Sequence, residues 1–152
     1  MNIDKHLLDK LTAQAKELPR LRMNLDLRNS AEDQSQRMLN AIEPESVVPV
    51  HRHRGTSETV VILRGRAVQY IYDEEGRQVE AVLLSPMAGE CPVKSDMTET
   101  EEGMIESEAG IPAMQVEKGQ WHALRSLESG TVILEMKDGS YEPISPADIL
   151  SM

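Results

Sequence analysis

The chain has 152 residues, of which 39% are hydrophobic and 28% are charged, and its formal net charge is −10. This length and composition predict a single domain over residues 1–152 that can bury its own apolar core. The excess of acidic residues argues against a protein that binds nucleic acid or anionic membranes, because both partners require a basic surface.

Cysteine usage and the N-terminal segment favour a cytoplasmic protein. Cys91 is the only cysteine, so no disulfide can form within the chain, and a lone thiol is more typical of a reducing compartment. We interpret Cys91 as a buried or incidental residue rather than a catalytic one. The N-terminal segment is charged throughout and lacks the apolar core of a signal peptide, and no stretch approaches the length of a membrane span.

The first nineteen residues have the spacing of an amphipathic helix. Their apolar positions recur at helical intervals, and Pro19 ends the pattern. In the run LRMNLDLR (21–28) the period changes to two, with leucine or methionine alternating with polar residues, as in a half-buried strand. The sequence therefore predicts an N-terminal helix over 1–19 that lies on a larger β structure.

Short strand-like runs separated by turns occupy most of residues 20–143. Gly65 allows a bend between two of these runs, and Gly76 allows a hairpin turn in DEEGR. Many short strands of this kind are typical of a β-sandwich or barrel. The acidic segment 86–110 interrupts the pattern. We interpret it as an inserted loop or lid, with a mobile excursion as the alternative and a short strand at GMIES. Residues 144–152 form a C-terminal tail with a final helical turn.

Three of the four histidines occupy positions that suit a metal site. His51 and His53 are two residues apart and face the same way on an extended chain. Glu58 begins the next apolar run, from which its carboxylate can reach the imidazoles, and His122 follows Gly119 at the start of a later strand. Imidazole and carboxylate are ligands of divalent transition metals. The alternative is a solvated basic turn beside a strand.

Two motifs carry a family resemblance. HRHRGTSETVVILRG resembles the first motif of the cupin superfamily, and GQWHALRS resembles the core of the second. Over nearly the full chain, the sequence is similar to the small bacterial WbuC-type cupin metalloproteins, whose genes tend to lie among those for surface-polysaccharide synthesis. The resemblance implies a mostly β fold, a double-stranded β-helix (cupin or jelly-roll barrel) with an N-terminal α-helix. It also implies that His51, His53, Glu58 and His122 coordinate one metal ion, and that the protein forms a homodimer.

The resemblance also suggests a function. Three nitrogens and one oxygen suit iron, manganese, nickel, zinc or copper, and they leave positions open for water or substrate. The expected role is to act on or bind a sugar or nucleotide-sugar intermediate of polysaccharide synthesis. The metal would act as a Lewis acid in an isomerisation or epimerisation. Two alternatives stay open: a non-catalytic sensor or binding module that holds a small anionic ligand, and an iron-dependent dioxygenase.

Three further residues are candidates for substrate binding. Arg64 lies beside Gly65 near a strand end, where a guanidinium could bind an anion. Asn40 lies on the strand before the metal loop, and Tyr70 lies on a later strand, where core packing is the alternative explanation.

The residues between the predicted ligands are expected to point elsewhere. Arg52 and Arg54 alternate with the histidines and should face away from them, as solvated charges or in ion pairs. Trp121 alternates with His122 and is interpreted as a packing anchor.

Overall fold

A computed structural model describes residues 1–87 and 110–151 of the chain. These residues form one α-helix, eight β-strands and a short 3-10 turn at Pro146–Asp148: α1 (Lys5–Glu17), β1 (Arg22–Asp26), β2 (Ser35–Ile42), β3 (Glu58–Arg64), β4 (Ala67–Tyr72), β5 (Gln78–Leu84), β6 (Ala113–Val116), β7 (Trp121–Ser126) and β8 (Val132–Asp138). The expected mostly β architecture with an N-terminal helix is confirmed. Most of the predicted acidic insert, with Cys91 and GMIES, lies outside the described residues. In the part of the chain that is described, no helix is long and apolar enough to cross a bilayer.

The strands form two antiparallel sheets with a shared core. The larger sheet has the order β1-β2-β8-β3-β6, and the smaller sheet has the order β5-β4-β7. An apolar cluster with members from both sheets fills part of the space between them: Ile42, Val60, Ile62, Ala67, Val82, Leu84, Leu124 and Ile133. Burial of such side chains stabilises the fold by about 25 cal/mol per Å² of apolar surface removed from water.

Helix α1 packs on the outer face of the larger sheet. At its first turn the Leu7 N–H donates to the Asp4 carboxylate at 3.0 Å, and Leu18 before Pro19 adopts extended backbone and ends the helix. The apolar face of the helix contacts residues of β1, β2 and β8: Leu8, Leu11 and Ala15 contact Met23, Leu25, Leu39, Ala41 and Val132. The apolar face predicted for β1 therefore lies under the helix, and the polar face of this strand points to the space between the sheets.

Gly65 makes the bend between β3 and β4, as the sequence predicts. Its φ is +82°, in the left-handed region that favours glycine. A Cβ at this position would overlap the side chain and backbone of Thr131, so the bend also requires a residue without a side chain.

Shortening the Leu11 side chain tests how much the packing of helix α1 contributes to the stability of the fold. Leu11 is 2% exposed within the helix–sheet cluster, and we expect Leu11→Ala to lower the free energy of unfolding by about 3 kcal/mol, because it leaves a cavity. Urea denaturation measures the change. The control Lys10→Ala, on the exposed side of the same helix, should change it by less than about 0.5 kcal/mol. Equal losses in both variants would contradict the packing role.

Candidate metal centre

A cavity of about 610 Å³ opens between the two sheets. Its lining comes from both sheets, from the loop that carries HRHR, and from the C-terminal segment between Gly139 and Ile149. The backbone of His51 pairs with that of His122: each N–H donates to the carbonyl of the other, at 3.0 and 2.9 Å. This pairing brings together two residues that lie seventy-one positions apart in the chain.

The imidazoles of His51, His53 and His122 converge in this cavity. Their candidate ligand nitrogens all lie within 4.8 Å of one another. The Nδ1 atom of His51 donates to the Pro49 carbonyl, and that of His122 donates to the Gln120 carbonyl, both at 2.8 Å. Because a carbonyl can only accept, both rings carry their proton on Nδ1 and keep the Nε2 lone pair for a metal. The three histidines could therefore hold a metal ion.

The Glu58 carboxylate lies beside two of these rings. Its Oε2 atom is 3.2 Å from Nε2 of His53, 3.6 Å from Nε2 of His122 and 3.6 Å from Nζ of Lys137. Burial alone would raise the pKa of Glu58, but the neighbouring imidazoles of His122 and His53 and the charge of Lys137 outweigh it and hold the pKa well below its usual value. Glu58 is therefore a buried carboxylate that stays charged.

The pKa values of two histidines also reflect this environment. Burial, reinforced by the neighbouring His122, lowers the pKa of His51 to about 4. Burial also acts to lower the pKa of His122, but the Glu58 carboxylate outweighs it and the net pKa is raised. His51 is therefore neutral at neutral pH, as a metal ligand must be, and a cation bound beside Glu58 would displace a proton from His122.

The arginines between the ligands form a clamp with Asp148. Both Arg52 Nε and Arg54 Nε donate to the same carboxylate oxygen of Asp148, at 2.8 and 2.6 Å, and the Arg52 backbone N–H donates to the Asp148 carbonyl. The Arg52 guanidinium also lies over the Trp121 ring, 4.3 Å from its centroid. The arginines are therefore engaged in ion pairs, as the sequence predicts, and hold the loop in place, but both also line the cavity, whereas Trp121 does not.

The structure separates the three substrate-binding candidates. Asn40 lines the cavity, whereas Arg64 and Tyr70 do not. Arg64 instead ties helix α1 to the sheet, with hydrogen bonds to Asp9 at 2.6 Å, to Thr12 at 3.0 Å and to the Gly130 carbonyl at 2.7 Å.

Tyr70 has a packing role on the smaller sheet. It packs against Val68, Ala81 and Leu83, on the face of β4 opposite to Gln69, which lines the cavity. Tyr70 therefore packs outside the histidine cavity and lines a second cavity of about 440 Å³, and its role in substrate binding stays a prediction.

Sequence reasoning missed two charged residues of β8 that line the cavity. Lys137 pairs with Gln36 on one side and Glu58 on the other, and its Nζ lies 3.8 Å from Oε2 of Glu135. Burial and the nearby charge of Glu58 raise the pKa of Glu135 to about 7. The signal was the alternation in VILEMKD, which places the glutamate and the lysine on one face of the strand.

Three buried side-chain atoms lack a hydrogen-bonding partner in residues 1–87 and 110–151: Asn24 Oδ1, Asn40 Oδ1 and His122 Nε2. All three residues line this one cavity. Buried polar atoms are almost always hydrogen-bonded, so their concentration here marks the cavity as a place that receives a partner. The orphaned Nε2 of His122 fits a metal ion, since it is a lone pair with no donor nearby.

Comparison with known families identifies the chain. The sequence model of a domain of unknown function, DUF6016, matches residues 3–84, more than half of the chain. The chain belongs to the DUF6016 family. The region that defines this DUF6016 match contains His51, His53 and Glu58, whereas His122 lies beyond it. No curated protein matches the chain significantly.

Solved structures share the fold of this DUF6016 protein. Protein SO0799 from Shewanella oneidensis is 12% identical, with 85% of this chain and 72% of that chain covered and a TM-score of 0.55. A cupin 2 domain-containing protein from Halorhodospira halophila is 13% identical, with 82% and 68% covered and a TM-score of 0.52. Oxalate decarboxylase from Bacillus subtilis, described with Mn(II) centres, is 16% identical, with 86% of this chain but only 28% of that chain covered and a TM-score of 0.52. The cupin fold that the motifs imply is confirmed.

The Asp148 clamp predicts local exchange behaviour. Asp148→Asn weakens the ion pairs with Arg52 and Arg54, so we expect the Arg52 amide to exchange its hydrogen faster. Hydrogen exchange followed by NMR measures this rate. Asp73→Asn, which alters only the turn between β4 and β5, should leave the Arg52 amide unchanged. An unaltered Arg52 amide in Asp148→Asn would show that the clamp does not hold the loop.

The raised pKa of Glu135 predicts a pH-dependent stability. Because the folded pKa lies near 7 and the ordinary value is 4.5, the folded state binds this proton more tightly than the unfolded state does. The stabilisation that the folded state gains from this tighter proton binding is complete below about pH 4.5, and it is lost as the pH rises through 7. We therefore expect Glu135→Gln to stabilise the metal-free protein, relative to wild type, by roughly 2 kcal/mol more at pH 8 than at pH 5. Urea denaturation at both pH values measures the free energies of unfolding of the variant and the wild type. A difference between the two proteins that is the same at pH 5 and pH 8 would contradict the prediction.

Proposed function

We propose that this protein is a metal-binding cupin in which His51, His53, Glu58 and His122 hold one divalent metal ion. The observation that carries the proposal is the convergence of three imidazoles, two of which lie 3.2 and 3.6 Å from Oε2 of Glu58, with the His122 Nε2 lone pair buried and without a partner. Four protein ligands leave further coordination positions for a small molecule. The cavity beside them, about 610 Å³ in volume, lies in the range of small-molecule sites.

The chemistry follows from the groups around the metal position. A bound divalent ion supplies Lewis-acid polarisation of a carbonyl or hydroxyl oxygen. Glu135, whose pKa lies near 7, can hold or release a proton at working pH, as a general acid or base does. Lys137 places a positive charge between Glu58 and Glu135. This arrangement favours proton-transfer chemistry such as isomerisation or epimerisation over a purely binding role.

We further propose a sugar or nucleotide-sugar intermediate of surface-polysaccharide synthesis as the ligand. Support comes from the similarity of the sequence to WbuC-type cupins and from the polar side chains that line the cavity, among them Asn24, Gln36 and Asn40. The homodimer and the cytoplasmic location stay predictions of the sequence. Light scattering of the purified protein tests the first of them.

Metal content tests the proposed site. We expect protein purified without added metal, or reloaded with Zn²⁺ after chelation, to contain about one ion per chain, since this donor set suits such metals. The double variant His51→Ala, His53→Ala should lose it, and Glu58→Gln should bind it more weakly. Elemental analysis after gel filtration measures the ratio of metal to protein.

The fourth histidine provides a matched control. His6 lies exposed on helix α1, so His6→Ala should retain full metal content. Full retention of metal in the His51, His53 double variant would disprove the site. Iron as the resident metal would favour the dioxygenase alternative, and proton exchange into a nucleotide sugar would favour the isomerase.

A further inference from the structure

The two buried asparagine oxygens define a second feature of the cavity, separate from the histidines. Asn24 on β1 and Asn40 on β2 are direct partners in the antiparallel register, so their side chains point to the same face with Cβ atoms about 5 Å apart. The Asn40 side chain is more than nine-tenths buried, with 8% exposed. The Oδ1 atoms of both residues are buried and without a hydrogen-bond donor.

The remaining bond of Asn40 shows which of its groups is available. Its Nδ2 atom donates to Oε1 of Glu135 at 3.5 Å, so the amide oxygen is the group left for a partner. Burying an amide group without a hydrogen bond costs about 1–3 kcal/mol in protein mutational data. Two neighbouring unpaired amide oxygens are therefore not expected where side chains serve only to pack the core. Asn24 and Asn40 therefore present a pair of acceptors to whatever enters the cavity.

The charges beside this pair restrict the chemistry of the partner. The same wall carries the Glu135 carboxylate, and the Glu58 carboxylate lies two positions along the strand register, across from Lys137. At the asparagine pair, an ionised carboxylate, which has only acceptor atoms, would face amide oxygens that cannot donate to it. A hydroxyl group can donate to an amide oxygen and accept from the Lys137 ammonium. A ligand with adjacent hydroxyl groups therefore matches the wall.

We propose that Asn24 and Asn40 form a diol-binding subsite, whose two amide oxygens accept hydrogen bonds from neighbouring hydroxyl groups of a polyhydroxylated ligand. This inference deepens the proposed function and depends on it for the second anchor of the ligand, at the metal. It assigns the recognition of the ligand to β1 and β2, whereas the histidines lie on the HRHR segment and β7. An ionised carboxylate does not fit this pair of amide oxygens, since it offers only acceptor atoms.

NMR of the ¹⁵N-labelled, Zn²⁺-loaded protein tests the subsite, with D-xylose as the diol probe and malonate as the dicarboxylate probe. The side-chain NH₂ signals of Asn24, Asn40 and Asn29 are assigned from the signal that disappears in each Asn→Leu variant. Asn29 is exposed, outside the cavity lining, and serves as the matched control. We expect D-xylose to shift the signals of Asn24 and Asn40 and leave that of Asn29 in place. Asn40→Leu should weaken D-xylose binding about tenfold and leave malonate binding unchanged.

The same variants separate a ligand site from a structural role. Because Asn24→Leu removes an unpartnered buried oxygen, its melting temperature should be equal to or higher than that of the wild type, whereas Asn40→Leu also removes the Nδ2 group that donates to Glu135. Asn24→Leu provides a second, independent variant if either one folds poorly. The subsite is disproved if D-xylose does not shift the Asn24 and Asn40 signals, if it shifts Asn29 equally, or if Asn40→Leu weakens both probes alike.

Metal content distinguishes this inference from the proposed function. If elemental analysis finds no bound Zn²⁺ in the wild type, the metal site fails, and the D-xylose titration of the metal-free protein still decides the subsite by the same signals. If Zn²⁺ is bound and D-xylose leaves the asparagines unaffected, the subsite fails and the metal site stands.

Discussion

The packing of helix α1 on the outer face of the larger sheet is the interaction on which the rest of the structure depends. The helix buries Leu8, Leu11 and Ala15 against the apolar faces of β1, β2 and β8, and Arg64 ties it to the sheet through Asp9 and Thr12. The sheet therefore obtains much of its apolar burial on its outer side. Part of its inner face can therefore be polar. A sheet covered on one face only would need that face to be apolar in order to form a core.

The polar inner face carries an energetic cost. Asn24 and Asn40 leave buried oxygens without partners, and Glu135 is largely buried, with its pKa raised to about 7. Each of these features destabilises the protein when nothing is bound. Such costs are concentrated at functional sites, where a bound ligand or ion compensates them. Buried polar side chains also occur elsewhere, for example Glu43, Ser126 and Thr131, but the buried side-chain atoms that lack a partner in the described residues all line the cavity.

The candidate ligands are held by backbone pairing rather than by a flexible loop. His51 pairs with His122 on one side, and its segment is bonded on the other side to Asp148 and Leu150 of the C-terminal segment. Hydrogen bonds from Nδ1 to backbone carbonyls fix the rings of His51 and His122. A site built in this way has its geometry before an ion arrives, so binding need not include the entropic cost of ordering the loop.

The sequence by itself determined the helix, the positions of the strands and the residues of the candidate metal centre, since these follow from local periodicity and residue type. Tertiary structure decided which face of each strand is inside. Period-two alternation shows that Arg22 and Asn24 share a face, but not that this polar face lines a cavity while Met23 and Leu25 pack under a helix. For the same reason Glu135 and Lys137 were missed, and Arg64 and Tyr70, two candidates for substrate binding, lie outside this cavity. Long-range packing assigns the faces, and when both sides of a sheet are covered, no local pattern distinguishes them.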